Sequence, residues 1–139
     1  MSRTVTYTTG IVLLHFLVNI VHGSAHRELR IGLTPIASAF VILVVLLFPL
    51  IAMILVWTAK KQLGLILFSA SMFASFVFGL YHHFLATSPD HIHSQPDTPW
   101  GFTFVLTSYA LLIIEAIGSY VGVHFLRLLK QKSRAKAAP

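Results

Sequence analysis

The segment PIASAFVILVVLLFPLIAMILVW, residues 35–57, contains no charged side chain, and its only hydroxyl group is that of Ser38. A helix of this length extends about 35 Å, which is enough to cross the ~30 Å hydrocarbon core of a bilayer. Hydrocarbon cannot satisfy backbone N–H and C=O groups, so an apolar segment that crosses it must be helical. The segment therefore predicts a membrane-spanning helix, which Pro49 should kink.

Three further apolar runs of similar length occupy roughly residues 7–25, 62–86 and 102–129. Only 10% of the 139 residues are charged, whereas soluble domains carry about 25%. We therefore predict an all-α integral membrane protein, a four-helix up-down bundle that forms a single domain of residues 1–139. Polar residues at the centre of the first run argue against a cleaved signal peptide, so we expect this helix to be retained.

The distribution of lysine and arginine predicts the orientation of the bundle. Lys60 and Lys61 lie between the second and third runs, and residues 130–139 form a basic tail. The loop of residues 87–101 contains two aspartates and no lysine or arginine. By the positive-inside rule both termini should be cytoplasmic, although two arginines in the first loop oppose this assignment. We expect the bacterial inner membrane or an equivalent membrane as the location.

The net charge of +6 comes mostly from the basic tail. Charges of this kind are attracted to anionic lipid by about 1 kcal/mol per residue. No aromatic or glycine pattern accompanies them, so we expect the lipid bilayer rather than a nucleic acid as the partner. Four short spans with little mass outside the membrane are also compatible with a homo-oligomer or with a larger membrane complex.

Polar side chains recur on one face of the first predicted helix, in the stretch HFLVNIVHGSAH, residues 15–26. At 100° per residue, its three histidines and its asparagine all fall within about 60° of one another. These residues are His15, Asn19, His22 and His26. Aligned polar residues in a membrane helix bury against other helices, so this stripe predicts a polar surface that faces the inside of the bundle.

Glu115 lies near the middle of the fourth run, at a depth similar to that of His15 in the first run. A lone carboxylate at this depth costs several kcal/mol unless it is protonated, paired or bound to a metal. We therefore predict that Glu115 pairs with His15 and Asn19. Two interpretations stay open: a proton-relay or ligand pair, and a buried polar pair that specifies how the bundle packs.

Six of the eight histidines lie near the predicted outer face of the membrane. His22 and His26 are spaced i, i+4, which allows both imidazoles to reach one ion from one helix face. His82 lies on the predicted inward face of the third helix at a similar depth. We predict His22, His26 and His82 as metal ligands. Candidate flanking ligands are His83, Asp90, His91 and His93.

Two kinds of cofactor fit these residues. Neutral imidazole binds Zn, Cu and Fe, and the absence of cysteine disfavours a soft thiolate site. The alternative is haem b with His22 and His82 as axial ligands, beside Gly23 and Gly79, which would make room for the ring. The clustering of so many histidines slightly favours a non-haem ion, because haem would leave most of them unexplained.

Together these features predict a membrane-embedded protein that binds a transition metal or haem at its outer face, for redox chemistry or metal handling. A different function is a small proton-coupled transporter or channel that uses Glu115 and His15. A third is a non-catalytic accessory subunit of a larger membrane complex. The sequence contains no nucleophile-elbow or phosphate-loop motif, and it therefore assigns no catalytic residue.

Overall fold

The computed structural model describes residues 2–137, which form four long helices joined by short loops. All four helices are long and apolar enough to span a membrane, so the predicted all-helical fold with four membrane-length helices is confirmed. The helices are α1 (Arg3–Glu28), α2 (Pro35–Trp57), α3 (Lys61–Leu85) and α4 (Pro99–Ala137). A single 3₁₀ turn, Ile92–Ser94, lies in the loop between α3 and α4.

The helix ends differ from the predicted ones by a few residues, except at the end of α4. This helix continues to Ala137, so residues 130–137 of the predicted basic tail are helical. Residues 138–139 of that tail lie outside the described residues. The cytoplasmic placement of both termini stays a prediction.

Interhelical contacts define the arrangement of the bundle. His15 contacts Glu115 and His22 contacts Thr107, so α1 and α4 run in opposite directions. α4 also packs along α3, and α3 packs along the second half of α2. We call the end that contains His22 and His26 the histidine end, and the end that contains Trp57 the basic end.

Small residues let the helix backbones approach closely, as is common in membrane bundles. A Cβ atom added to Gly64 would lie 2.7 Å from the backbone nitrogen of Val56 and 2.9 Å from the carbonyl oxygen of Ala52. Inside the bundle a buried apolar layer includes Val12, Phe68 and Met72. Large aliphatic side chains such as those of Leu17, Ile20, Ile54 and Ile113 are exposed on the outside, where lipid would cover them.

Two segments of wide π-helix interrupt the α-helical geometry, one in α2 and one in α3. Val41–Leu47 forms the first, and the backbone N–H of Phe48 bonds to the carbonyl of Leu43, five residues back. Pro49 follows directly, and because proline lacks an N–H and crowds the carbonyl four residues before it, it disturbs regular α-helical bonding here. Tyr81–Leu85 forms the second, closed by the bond from the Ala86 N–H to the Tyr81 carbonyl.

α1 and α2 approach each other at the basic end and diverge at the histidine end. The Trp57 indole N–H donates to Thr9 Oγ1 at 2.9 Å, which joins the end of α2 to the start of α1. Close packing on α1 involves the second half of α2, Phe48–Trp57, and not its first half, Pro35–Leu47. This divergence leaves space inside the histidine end.

Candidate metal centre

Three histidines from two helices converge at the histidine end. One ring nitrogen of each of His22, His26 and His83 lies within 4.8 Å of those of the other two. The Nε2 atoms of His22 and His26 are 3.1 Å apart. Nitrogens bound tetrahedrally at ~2.0–2.1 Å from a zinc ion would be about 3.3 Å apart. The three rings are therefore close enough together that they could hold a metal ion.

The hydrogen-bond partner of His22 determines which of its nitrogens is free. The Thr107 hydroxyl donates to the backbone carbonyls of its own helix, at 2.7 Å to Thr103 and 3.1 Å to Phe104. With that hydrogen committed, the Thr107 oxygen can only accept from His22 Nδ1–H, at 2.8 Å. His22 Nε2 is thus left with a bare lone pair, which faces His26.

The same argument applies to His83. Its Nδ1 lies 3.1 Å from the backbone carbonyl oxygen of Asp90, which accepts hydrogen bonds and cannot donate them. His83 Nδ1 therefore carries the hydrogen, and its Nε2 keeps a lone pair. Hydrogen bonds of this kind, made by the distal ring nitrogen, orient histidine ligands in metal sites.

Asp90 places a negative charge beside the three rings. Its Oδ1 atom lies 3.3 Å from His26 Nε2 and 3.4 Å from His83 Nδ1. Burial raises the pKa of the Asp90 carboxyl, but the rings of His83, His26 and His22 more than offset this effect, and the pKa lies below its ordinary value. Both carboxylate oxygens are buried without a well-aligned hydrogen bond. The carboxylate is therefore ionised and able to balance the charge of a cation.

Phe104 forms an apolar floor under the cluster. Its ring is fully buried, and its centroid lies 4.8, 5.0 and 5.3 Å from the centroids of His22, His26 and His83. His26 Nδ1 is buried with no hydrogen-bond partner. Neither Phe104 nor Thr107 was among the predicted site residues. The only feature of the sequence that points to Phe104 and Thr107 is that they lie on roughly the same face of α4 as Glu115.

His82, the predicted third ligand, does not join this group. Its ring packs on Phe78 at 4.3 Å and on Tyr81 at 5.2 Å between centroids, away from His22 and His26. The prediction assumed regular α-helical phase along the whole of α3. The π-helix at Tyr81–Leu85 widens the turn and brings the next residue, His83, into the cluster instead.

The two loop histidines have a structural role. His91 Nε2–H donates to the carbonyl of Phe84 at 3.2 Å, and His91 Nδ1 accepts from the backbone N–H of His93 at 3.1 Å. Both ring nitrogens of His91 are thereby used, while His93 is exposed. Of the predicted flanking residues, the structure brings His83 and Asp90 to the cluster and uses His91 to shape the loop.

A second buried polar group lies deeper in the bundle. His15 Nε2 and Glu115 Oε1 are 3.1 Å apart, and both side chains are almost completely buried. Asn19, the third member of the predicted group, donates instead to the backbone carbonyl of His15 at 2.9 Å. Glu115 Oε2 has no hydrogen-bond partner among the described residues.

A cavity of about 380 Å³ connects the histidine cluster with Glu115. One wall is polar and consists of Asn19, His22, His26, Ser75, His83, Asp90 and Glu115. Aliphatic side chains such as those of Val41, Val45 and Leu112 also line the cavity. Gly79 lies between the two polar groups, since an added Cβ atom would be 3.7 Å from Glu115 Oε2 and 3.9 Å from His83 Cδ2.

Comparison with known proteins finds no matching family profile, no similar curated sequence and no similar solved structure.

Proposed function

We propose that this chain is a membrane metalloprotein that binds one non-haem transition-metal ion through His22, His26 and His83. Asp90 supplies the counter-charge next to the ion, and the remaining coordination position faces the cavity. Three histidine ligands with one open position are the arrangement of catalytic rather than structural zinc sites. The ion therefore serves chemistry on a molecule in the cavity, of redox or Lewis-acid type.

The observation that carries this proposal is the pair of bare lone pairs on His22 and His83. Each has its Nδ1–H committed to an oxygen, Thr107 Oγ1 in one case and the Asp90 carbonyl in the other. Those two bonds leave the Nε2 lone pairs of His22 and His83 for another partner, and His22 Nε2 lies 3.1 Å from His26 Nε2. One ring nitrogen of each of the three histidines lies within 4.8 Å of the others in a mostly buried site, which is the spacing that one ion could bridge.

A single ion explains this geometry better than haem does. Axial ligands of a haem with two histidines lie on opposite faces of a flat macrocycle. His22 Nε2 and His26 Nε2 are instead 3.1 Å apart, and all three imidazoles pack on Phe104. Imidazole ligands and one carboxylate suit Zn, Cu or Fe, so elemental analysis decides among these three metals.

The interior below the cavity supports a resident ion rather than a transported one. Val12 lies about one turn from His15 towards the basic end. Met72 packs on Gly118, which lies about one turn beyond Glu115 in the same direction. Phe68 lies a turn further along α3. These apolar side chains are fully buried, and an ion that left the histidines towards the basic end would have to cross this layer without its hydration shell.

The proposal is tested by metal analysis of the protein in lipid nanodiscs, after removal of metal with a chelator and reloading with Zn, Cu or Fe. We expect about one ion per chain, no Soret band, and loss of the ion in His22→Ala. His124→Ala is the control, because His124 is exposed and packs on Tyr120, far from the cluster. Wild-type protein that takes up no ion, or a His22→Ala variant that keeps it, contradicts the proposal.

A proton-coupled transporter is the second candidate, and the buried His15–Glu115 pair favours it. Its test is the rate of proton movement into liposomes that contain a pH-sensitive dye. If the pair carries protons across the membrane, Glu115→Gln abolishes this movement while His22→Ala does not. The apolar layer of Val12, Phe68 and Met72 opposes this function, and we expect no proton movement above that of empty liposomes.

A further inference from the structure

Two polar atoms in the cavity have no hydrogen-bond partner among the described residues. Glu115 Oε2 and Ser75 Oγ are both buried without a hydrogen bond, and both residues line the cavity. Their side chains are 3% and 1% exposed, respectively. An unsatisfied buried polar atom costs about 1–3 kcal/mol, and native proteins usually satisfy such atoms with a ligand or an ordered water.

The remainder of the cavity is suited to an apolar body. Aliphatic side chains form much of its lining, with Val41, Val45 and Leu46 from α2 and with Leu111 and Leu112 from α4. Among the described residues no lysine or arginine lines the cavity, so apart from the proposed ion there is no fixed positive charge for an anionic group. The volume is in the range of pockets that enclose small organic molecules.

The side of the cavity between α1 and the first half of α2 is not closed by tight helix packing. α1 packs closely against the second half of α2 but diverges from its first half, Pro35–Leu47, where the cavity lies. Gly23 of α1 is exposed at this side and Val41 of α2 is half-buried, and both line the cavity. The wide π-helix of Val41–Leu47 faces the gap, and such segments are frequent at functional sites.

From these observations we infer that the cavity binds an uncharged, lipid-soluble molecule with one hydroxyl group, such as an alcohol or a phenol. The oxygen bonds to Glu115 and Ser75, and the apolar body lies against α2 and α4. The molecule enters from the bilayer between α1 and α2. This inference rests on the proposed metal function, because it identifies the class of substrate that would lie next to the open coordination position.

The test uses 1-dodecanol that carries a photoreactive diazirine, added to the protein in lipid nanodiscs, with and without bound metal. After irradiation, mass spectrometry locates the labelled residues. We expect labelling concentrated on cavity residues such as Val45 and Leu112, and at least a fivefold reduction by excess unlabelled 1-dodecanol. Dodecane, which lacks the oxygen, should compete much less. Labelling spread over outward residues such as Leu17, without competition by 1-dodecanol, overturns the inference.

Two variants that fill the cavity sharpen the test. Gly79→Leu places a side chain between Glu115 and His83, and Leu112→Phe enlarges an aliphatic side chain of the lining that is not a proposed ligand. Each should reduce specific labelling several-fold, whereas Ile113→Phe on the exposed face should not. Unchanged specific labelling in both cavity variants also contradicts the inference.

Metal affinity measured on the same samples separates this inference from the proposed function. Leu112→Phe should lose labelling but keep its metal affinity within about threefold, because Leu112 is not a ligand. Wild-type protein that is labelled in the cavity but binds no metal would overturn the proposed metal function but support the inference that the cavity binds a lipid-soluble molecule. Wild-type protein that binds metal but is not specifically labelled would support the metal function and overturn the inference of a lipid-soluble ligand.

Discussion

Replacement of His82 and of His83 by alanine, one at a time, is a sharp test of the metal centre. The two residues are adjacent in sequence and lie at nearly the same depth. The π-helix of α3 directs His83 to His22 and His26, while His82 packs on Phe78. His83→Ala removes one of three nitrogen ligands and also removes a ring that lies 3.4 Å from the Asp90 carboxylate. His82→Ala removes only an aromatic contact near the lipid-facing surface.

The expected difference in affinity is large. Structural zinc sites with four ligands contribute about 10–16 kcal/mol, or roughly 3–4 kcal/mol per ligand. Because 1.4 kcal/mol corresponds to a tenfold change, His83→Ala should raise the Kd for the ion by about 10²–10³-fold. His82→Ala should change it by less than about threefold. The assay is competition against a chromogenic chelator at constant pH, with circular dichroism to verify that both variants are folded. If His82→Ala abolishes binding and His83→Ala does not, the assignment of the site to the π-helix is wrong.

Three further predictions concern other contacts of the structure, and a fourth concerns orientation. Thr107→Val removes the hydroxyl oxygen that accepts from His22 Nδ1–H and orients that ring, and it should weaken metal binding by about 10–100-fold in the same competition assay. Glu115→Leu leaves a buried imidazole nitrogen without a partner and should destabilise the bundle by about 1–3 kcal/mol in detergent unfolding experiments, more than the glutamine variant does. Gly64→Ala forces α2 and α3 apart and should cost about 1–3 kcal/mol, whereas Gly10→Ala, with no atom within 4 Å of the new Cβ, should be neutral or stabilising. A cysteine at Ser94, in a chain that has no other, should react with an impermeant reagent outside intact cells; protection there would reverse the predicted orientation.

The fold and the buried pair could be predicted because they depend on properties that the sequence displays directly. Length and hydropathy identify each membrane helix, and regular α-helical phase holds along the whole of α1. The inward face of α1 was therefore predicted correctly, with His15 and His22 both buried. Counting from the ends of two continuous helices also placed Glu115 opposite His15, where the structure has it.

The third histidine of the cluster could not be identified in this way, because the phase of α3 changes within the segment YHHFL. In α2 a π-helix comes just before Pro49, which marks an irregularity in the sequence. The segment YHHFL contains neither proline nor glycine, so nothing in it indicates that the helix widens. Regular phase then assigned His82 to the inside, although the structure has His83 there.

The position of Asp90 depends on interactions within a loop, and these follow no helical period. Its backbone N–H donates to Ser88 Oγ, and the Gln95 side chain bonds to the carbonyls of Pro89 and His91. Several short polar contacts together bring the carboxylate back to the helix ends. Such a set of contacts is visible only in three dimensions.

The contacts around the three imidazoles would also affect which ions the proposed site accepts. Phe104 supports all three rings, Thr107 holds one of them, and the Asp90 carbonyl holds another. A flexible set of imidazoles would follow the general order of affinities, in which copper exceeds the other divalent first-row metals. Rings whose orientation is already determined can adapt less, so an ion that prefers a square-planar arrangement would have to displace them. The aromatic floor should therefore shift the preference of this protein from copper towards ions that accept tetrahedral geometry, and it would do so without contributing a single ligand atom.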